Sequence, residues 1–87
     1  QNYPNPFRDY TTIGYDLHQS TVTRLEVYDI MGRLVCTLVQ GMQLKRKYRN
    51  VRWSGTDAQG RPVASGIYFV KLTSGEFSQI KKMVLVR

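Results

Sequence analysis

Apolar and polar residues alternate with period two along most of this chain, the spacing of strands that bury one face. Thr11, Ile13, Tyr15 and Leu17 alternate with Thr12, Gly14 and Asp16, which predicts a half-buried strand over Thr11–Leu17. His18-Gln19-Ser20 reads as a short polar turn. Thr21–Tyr28 is rich in β-branched and aromatic residues, and its phase turns Leu25 and Val27 inward against Arg24 and Glu26. Asp29-Ile30-Met31-Gly32-Arg33 supplies the next turn, with Gly32 as its left-handed residue. Leu34–Gln40 is more continuously apolar (Leu34, Val35, Cys36, Leu38, Val39), the pattern of a strand covered on both faces or kinked by a bulge.

The second half follows the same grammar. Gly41 opens a basic stretch, and Tyr48–Trp53 is read as a strand with Val51 and Trp53 inward and Arg49 and Arg52 outward. Ser54 to Gly66 is loop-rich; there Asp57 and Gly60 are expected to make the turn, the carboxylate accepting backbone N–H bonds and the glycine taking positive φ. Gly66–Thr73 returns to strand, with Tyr68, Val70 and Leu72 on one face, and Ser74-Gly75-Glu76 is hairpin-sized. Phe77–Val86 is the last strand. Residues 1–9 carry two prolines two apart, which predicts a stiff, extended lead-in ahead of a domain over residues 10–87. No apolar stripe of helical period is sustained anywhere. About seven short strands in under 100 residues predict an all-β fold, a small antiparallel β-sandwich, ahead of a five-stranded oligonucleotide-binding barrel, whose usual helix has no candidate.

Composition narrows the function. With 87 residues and 41% hydrophobic residues, the chain is one small globular domain with little room for an enclosed active site. One cysteine, Cys36, excludes an internal disulfide framework, and one histidine, His18, leaves too few soft ligands for structural zinc. No cofactor is expected. Gln1 stands where an initiator Met would, so a processed chain or a piece of a longer one is expected. Thirteen basic against six acidic residues give a formal charge of +7, which favours anionic partners. The densest cluster, Lys45, Arg46, Lys47, Arg49 and Arg52, interleaves Tyr48 and Trp53 in the manner of a single-strand nucleic-acid platform. No recognition helix, zinc-finger spacing or aromatic RNA-binding signature accompanies it, so nucleic acid is not expected. The alternatives are protection of an exposed strand edge and contact with an acidic surface glycan.

Several separated motifs occur in a familiar order. Gln1-Asn2-Tyr3-Pro4-Asn5-Pro6-Phe7, Leu25–Arg33, Trp53-Ser54-Gly55-Thr56-Asp57, Gly60–Tyr68 and Lys82–Arg87 together resemble the immunoglobulin-like C-terminal module of secreted proteins of Bacteroidota and neighbouring phyla. That module is similar to the sorting domain of the type IX secretion system and to the immunoglobulin-like domain of the flagellar hook-capping protein. Arg8-Asp9-Tyr10 and Lys45–Lys47 depart from the commonest form of the pattern. The resemblance implies an immunoglobulin-like sandwich at the end of a larger secreted or cell-surface protein. It implies a non-catalytic role, the outer-membrane secretion machinery as partner, and Gly66, Ile67, Tyr68, Lys82, Met83 and Val84 as sorting-signal residues.

Each candidate has a plainer reading beside it. The lead-in is either a recognition peptide or a first strand with Tyr3 and Phe7 tucked against the sandwich. Tyr68 can form a tyrosine corner. Trp53 is core by its phase with Val51; exposed, it would serve, with Tyr10, Tyr15 or Tyr48, as a sugar-stacking platform. His18 reads as a solvated turn residue and Cys36 as a small buried hydrophobe, and no triad is legible. One of Lys81 and Lys82 points inward unless a bulge intervenes. Three functions follow: a sorting and attachment module, monomeric in isolation; a carbohydrate-binding accessory module; or a self-associating structural spacer.

Overall fold

The computed structural model describes residues 2–87, except for the side chains of Asn2 and Tyr3, so the expected packing of Tyr3 lies outside the described residues. It is all-β, two antiparallel sheets facing each other. Six strands of seven to ten residues follow a two-residue pairing at the start: β1 (Asn2–Tyr3), β2 (Thr11–Leu17), β3 (Thr21–Asp29), β4 (Leu34–Gln43), β5 (Arg46–Trp53), β6 (Gly66–Ser74) and β7 (Phe77–Leu85). One sheet has the order β1-β2-β5 and the other β4-β3-β6-β7. The immunoglobulin-like sandwich is therefore present, and among the described residues there is no helix.

The core is the inward phase of these strands. Ile13, Leu25, Val27, Cys36, Trp53, Tyr68, Val70, Leu72, Met83 and Leu85 are buried together with Phe7. Thr11 and Thr23 share that phase, and the Thr11 hydroxyl is satisfied by donating to the Pro4 carbonyl at 2.7 Å. The long apolar run of β4 is explained by two register shifts against β3, which leave Leu38 and Val35 without opposite partners. Each bulge resets the alternation, so Val35, Leu38 and Val39 all pack against the core although the strand belongs to one sheet.

Two expectations are corrected by the tertiary structure. Arg49 does not point outward. It shares the phase of Val51 and Trp53, is half-buried, and donates from Nη2 to the Leu44 carbonyl at 3.0 Å. A bulge sets Lys47 and Tyr48 opposite Asp16, whose carboxylate accepts the Tyr48 N–H at 2.9 Å while Tyr48 takes φ 58°. Nor is the lead-in one extended piece: Asn2–Tyr3 pair with β2, the chain bends over residues 4–6, and Phe7 pairs with β7 of the opposite sheet. It crosses from one sheet to the other because Phe7 has an apolar site between them. Lys81 is the inward member of the lysine pair, half-buried in phase with Met83, and Lys82 faces solvent.

Candidate functional site

One end of the sandwich gathers the separated motifs. The Phe7 N–H donates to the Val84 carbonyl at 2.9 Å and the Val86 N–H to the Phe7 carbonyl at 2.8 Å, a parallel bridge along the edge of β7. Beside it, the Asn5 side chain substitutes for a strand residue. Its Nδ2 donates to the Lys82 carbonyl at 3.1 Å and its Oδ1 accepts the Val84 N–H at 2.8 Å. The edge of the closing strand, otherwise a row of open donors and acceptors, is thereby covered over Lys82–Val86. Beneath this cover the Phe7 ring tilts against Trp53 at 5.7 Å between centroids, and Trp53 meets Tyr68 edge-on at 5.2 Å.

The loop between β5 and β6 completes this end. Asp57 Oδ1 accepts the N–H groups of Gln59 and Arg61, both at 2.9 Å, and Gly60 closes the turn with φ 80°. The Arg61 N–H is the main reason the Asp57 carboxyl sits below its ordinary value; partial burial opposes it, and the Gln59 N–H adds to the lowering. The Trp53 indole N–H donates to the Thr56 carbonyl at 2.9 Å, and the Tyr68 hydroxyl donates to Ala64, four residues upstream, at 2.7 Å. Burial pushes the Tyr68 hydroxyl pKa up. Arg87 locks the loop to β7. Its N–H donates to Ser65 Oγ at 2.9 Å, its Nε to the Val63 carbonyl at 2.8 Å, and its Nη2 to the Gly55 carbonyl. Gly55 has φ 69°, and a Cβ there would lie 2.7 Å from Arg87 Nη2.

The model of the secretion system C-terminal sorting domain matches residues 1–86. The chain belongs to this family. The sorting domain is also similar to two solved structures from Porphyromonas gingivalis. PorZ, described as an essential bacterial surface component of the type IX secretion system, matches with 28% identity and TM-score 0.71 over 100% of this chain and 11% of PorZ. Dimeric latent PorU matches with 23% identity and TM-score 0.71 over 99% of this chain and 9% of that one, a likeness of fold. The chain thus spans about a tenth of the length of either. Among curated proteins none matches it. Membership places the sorting domain on a secreted or cell-surface protein and in the traffic of the type IX machinery.

Of the six sorting-signal candidates, Tyr68 and Met83 are buried, Gly66 and Val84 half-buried, and Ile67 and Lys82 exposed. Cross-strand register sets Gly66 opposite Leu85, Ile67 opposite Val84, Tyr68 opposite Met83 and Phe69 opposite Lys82. The two motifs are thus one paired ribbon, with Tyr68 and Met83 beneath it and Ile67, Val84 and Lys82 on its outer surface. Gly32 (φ 81°) lies in the β3–β4 turn, where Asp29 Oδ1 accepts the N–H groups of Met31 and Arg33, each at 2.9 Å. Three contributors escaped the sequence reading: Asn5, Gly55 and the Arg87 side chain. Only Gly55 left a local signal, a glycine two residues after a core tryptophan position.

The other candidates disperse. Trp53 is 1% exposed, so its indole is not available to stack on a sugar. Cys36 is buried, and burial pushes its thiol pKa up, away from nucleophilic use. His18 follows β2 and Asp57 follows β5; those strands are antiparallel, with Thr11 opposite Trp53, so the two residues lie at opposite ends of the sheet. Among the described residues no group of three His, Cys, Asp or Glu side chains could hold a metal ion.

Proposed function

We propose that this sorting domain acts as the closing, non-catalytic module of a larger exported polypeptide, read in its folded form by the outer-membrane secretion machinery. The carrying observation is the convergence at one end: the lead-in, the β5–β6 loop and the Arg87 clamp all hold the β6–β7 ribbon in place. Gly66 and Tyr68 orient the ribbon, Met83 anchors it, and Ile67, Lys82 and Val84 are the surface that is read. Gly32, Asp57 and Gly60 serve as turn formers. No catalytic role is assigned to any residue. Isolated, the domain is a monomer, since a charge of +7 opposes self-contact.

The test fuses the domain to a reporter in a bacterium that has type IX secretion. Deleting Lys82–Arg87 is expected to abolish export, but it also removes core residues. Lys82→Glu with Val84→Thr alters the outer surface alone and is expected to lower export while the melting profile stays unchanged. Undiminished export of both variants refutes the reading.

A second reading concerns the opposite end of β5. There Arg46, Tyr48, Arg49 and Asn50 line a recess of about 360 Å³, and Arg49 Nε is buried with no hydrogen-bond partner among the described residues. An unpaired buried donor of this kind suits a carboxylate or sulfate, consistent with an acidic surface glycan. Titration with a heparin-derived oligosaccharide, followed by NMR, is expected to shift the Arg49 side-chain resonance. No shift at millimolar ligand removes this reading.

A further inference from the structure

The outer face of the four-stranded sheet carries an apolar patch beside the β3–β4 turn. At the tip of the β3–β4 turn Ile30 and Met31 are 68% and 75% exposed. Their position is not slack. Asp29 holds the turn through the Met31 and Arg33 N–H groups and an ion pair from its Oδ2 to Arg33 Nε at 2.9 Å, and the Gly32 N–H donates to the Asp29 carbonyl at 3.0 Å. A turn this well tied presents its two large side chains as fixed projections.

Ile30 borders a groove, and Met31 projects next to it from the same turn. Tyr28, Ile30, Phe69, Lys71 and Ile80 line a shallow concavity of about 350 Å³ on that face, with Ile80 60% exposed. The register explains why it is continuous. Leu34, Tyr28, Phe69 and Lys82 form one cross-strand row, and Glu26, Lys71 and Ile80 form the next. Contiguous exposed apolar side chains rimmed by charge mark a contact surface.

The rim states the partner's chemistry. Glu26 accepts the Tyr28 hydroxyl at 3.0 Å and Asp29 pairs with Arg33, and with Arg24, Lys71 and Lys82 beside them the basic groups of this face outnumber the acidic ones. Arg24, Lys71 and Lys82 make no ion pair among the described residues. Two copies docked through this face would set those cations against each other, which opposes a second copy. We infer that this face docks a protein surface with an aliphatic or aromatic centre and carboxylates at its rim, and that Ile30 and Met31 are its anchors. The inference rests on the export reading above and identifies the partner as a component of that machinery, gripping the β6–β7 ribbon and the β3–β4 turn together.

The experiment uses the same reporter fusion in a type IX-competent bacterium. Ile30→Ser combined with Met31→Ser leaves every turn hydrogen bond in place, and so does Lys71→Gln, which removes the cation without setting a second carboxylate opposite Glu26. Each is expected to lower export by roughly tenfold, the scale of losing an interface anchor, with thermal melting unchanged. A photoactivatable phenylalanine at position 31 is expected to give an adduct with an envelope protein in exporting cells. Normal export of both variants, while Lys82→Glu with Val84→Thr still blocks it, overturns this docking face and leaves the export reading standing. Adducts only between two copies of the fusion overturn the choice of occupant. If all of these variants and the Lys82–Arg87 deletion export normally, the export reading itself falls.

Discussion

Phe7 lies in the lead-in, yet it is 2% exposed, and its removal tests whether residues 1–9 belong to the folded unit. Phe7→Ala leaves a cavity beside Trp53 and between the sheets, and substitutions of this class cost about 3–5 kcal/mol. An 87-residue domain at roughly 0.05–0.15 kcal/mol per residue has about 4–13 kcal/mol in total. One side chain outside the main strands would then account for a quarter or more of the stability. Urea unfolding is the suitable assay, because the single Trp53 sits against Phe7 and reports on that region directly. With a slope of about 1–1.5 kcal/mol per molar urea, the midpoint should fall by roughly 2–5 M. Phe7→Leu retains most of the volume and should cost only about 1–1.5 kcal/mol. A chain shortened to residues 10–87 loses the ring, the bridge to β7 and the Asn5 contacts, and should be at least as unstable as Phe7→Ala. A Phe7→Ala loss below about 1 kcal/mol, the scale of an ordinary surface change, would refute the reasoning.

Two further outcomes are expected. Gly55→Ala imposes a left-handed backbone on alanine, costing about 1–2 kcal/mol, and presses its Cβ on the Arg87 guanidinium. In an Arg87→Ala background the penalty should shrink, and equal penalties in the two backgrounds would show that the clamp is not coupled to the glycine. The carboxyls of Asp29 and Asp57 are both held below the ordinary 3.8, chiefly by the N–H groups of Arg33 and Arg61. Folded carboxylates that resist protonation add stability above pH 3.8, and that contribution drains away as pH falls through their lowered folded values. The double variant Asp29→Asn, Asp57→Asn should flatten this acid slope in melts between pH 5 and 2, and an unaltered slope would count against the assignment.

The elements and the buried faces of this domain were legible in the linear pattern. Thr11–Leu17, Thr21–Tyr28 and Gly66–Thr73 alternate cleanly, and side-chain direction in a strand is a local consequence of period two. The turns at Gly32 and Gly75 were legible because positive φ (81° and 60°) favours glycine, whereas the positive φ of Tyr48 left no such mark. The ordered motifs carried the family.

Other features depended on partners far along the chain. Asn5 and Val84 are 79 residues apart, and Arg87 reaches back 32 residues to Gly55. No local propensity encodes such pairs. The crossing of the lead-in between sheets, the bulges that carry Val35 and Leu38 to the core, and the half-burial of Arg49 belong to the same class. Alternation determines which way a side chain points from its own strand, whereas only the packing of one sheet on the other decides whether protein or water waits there.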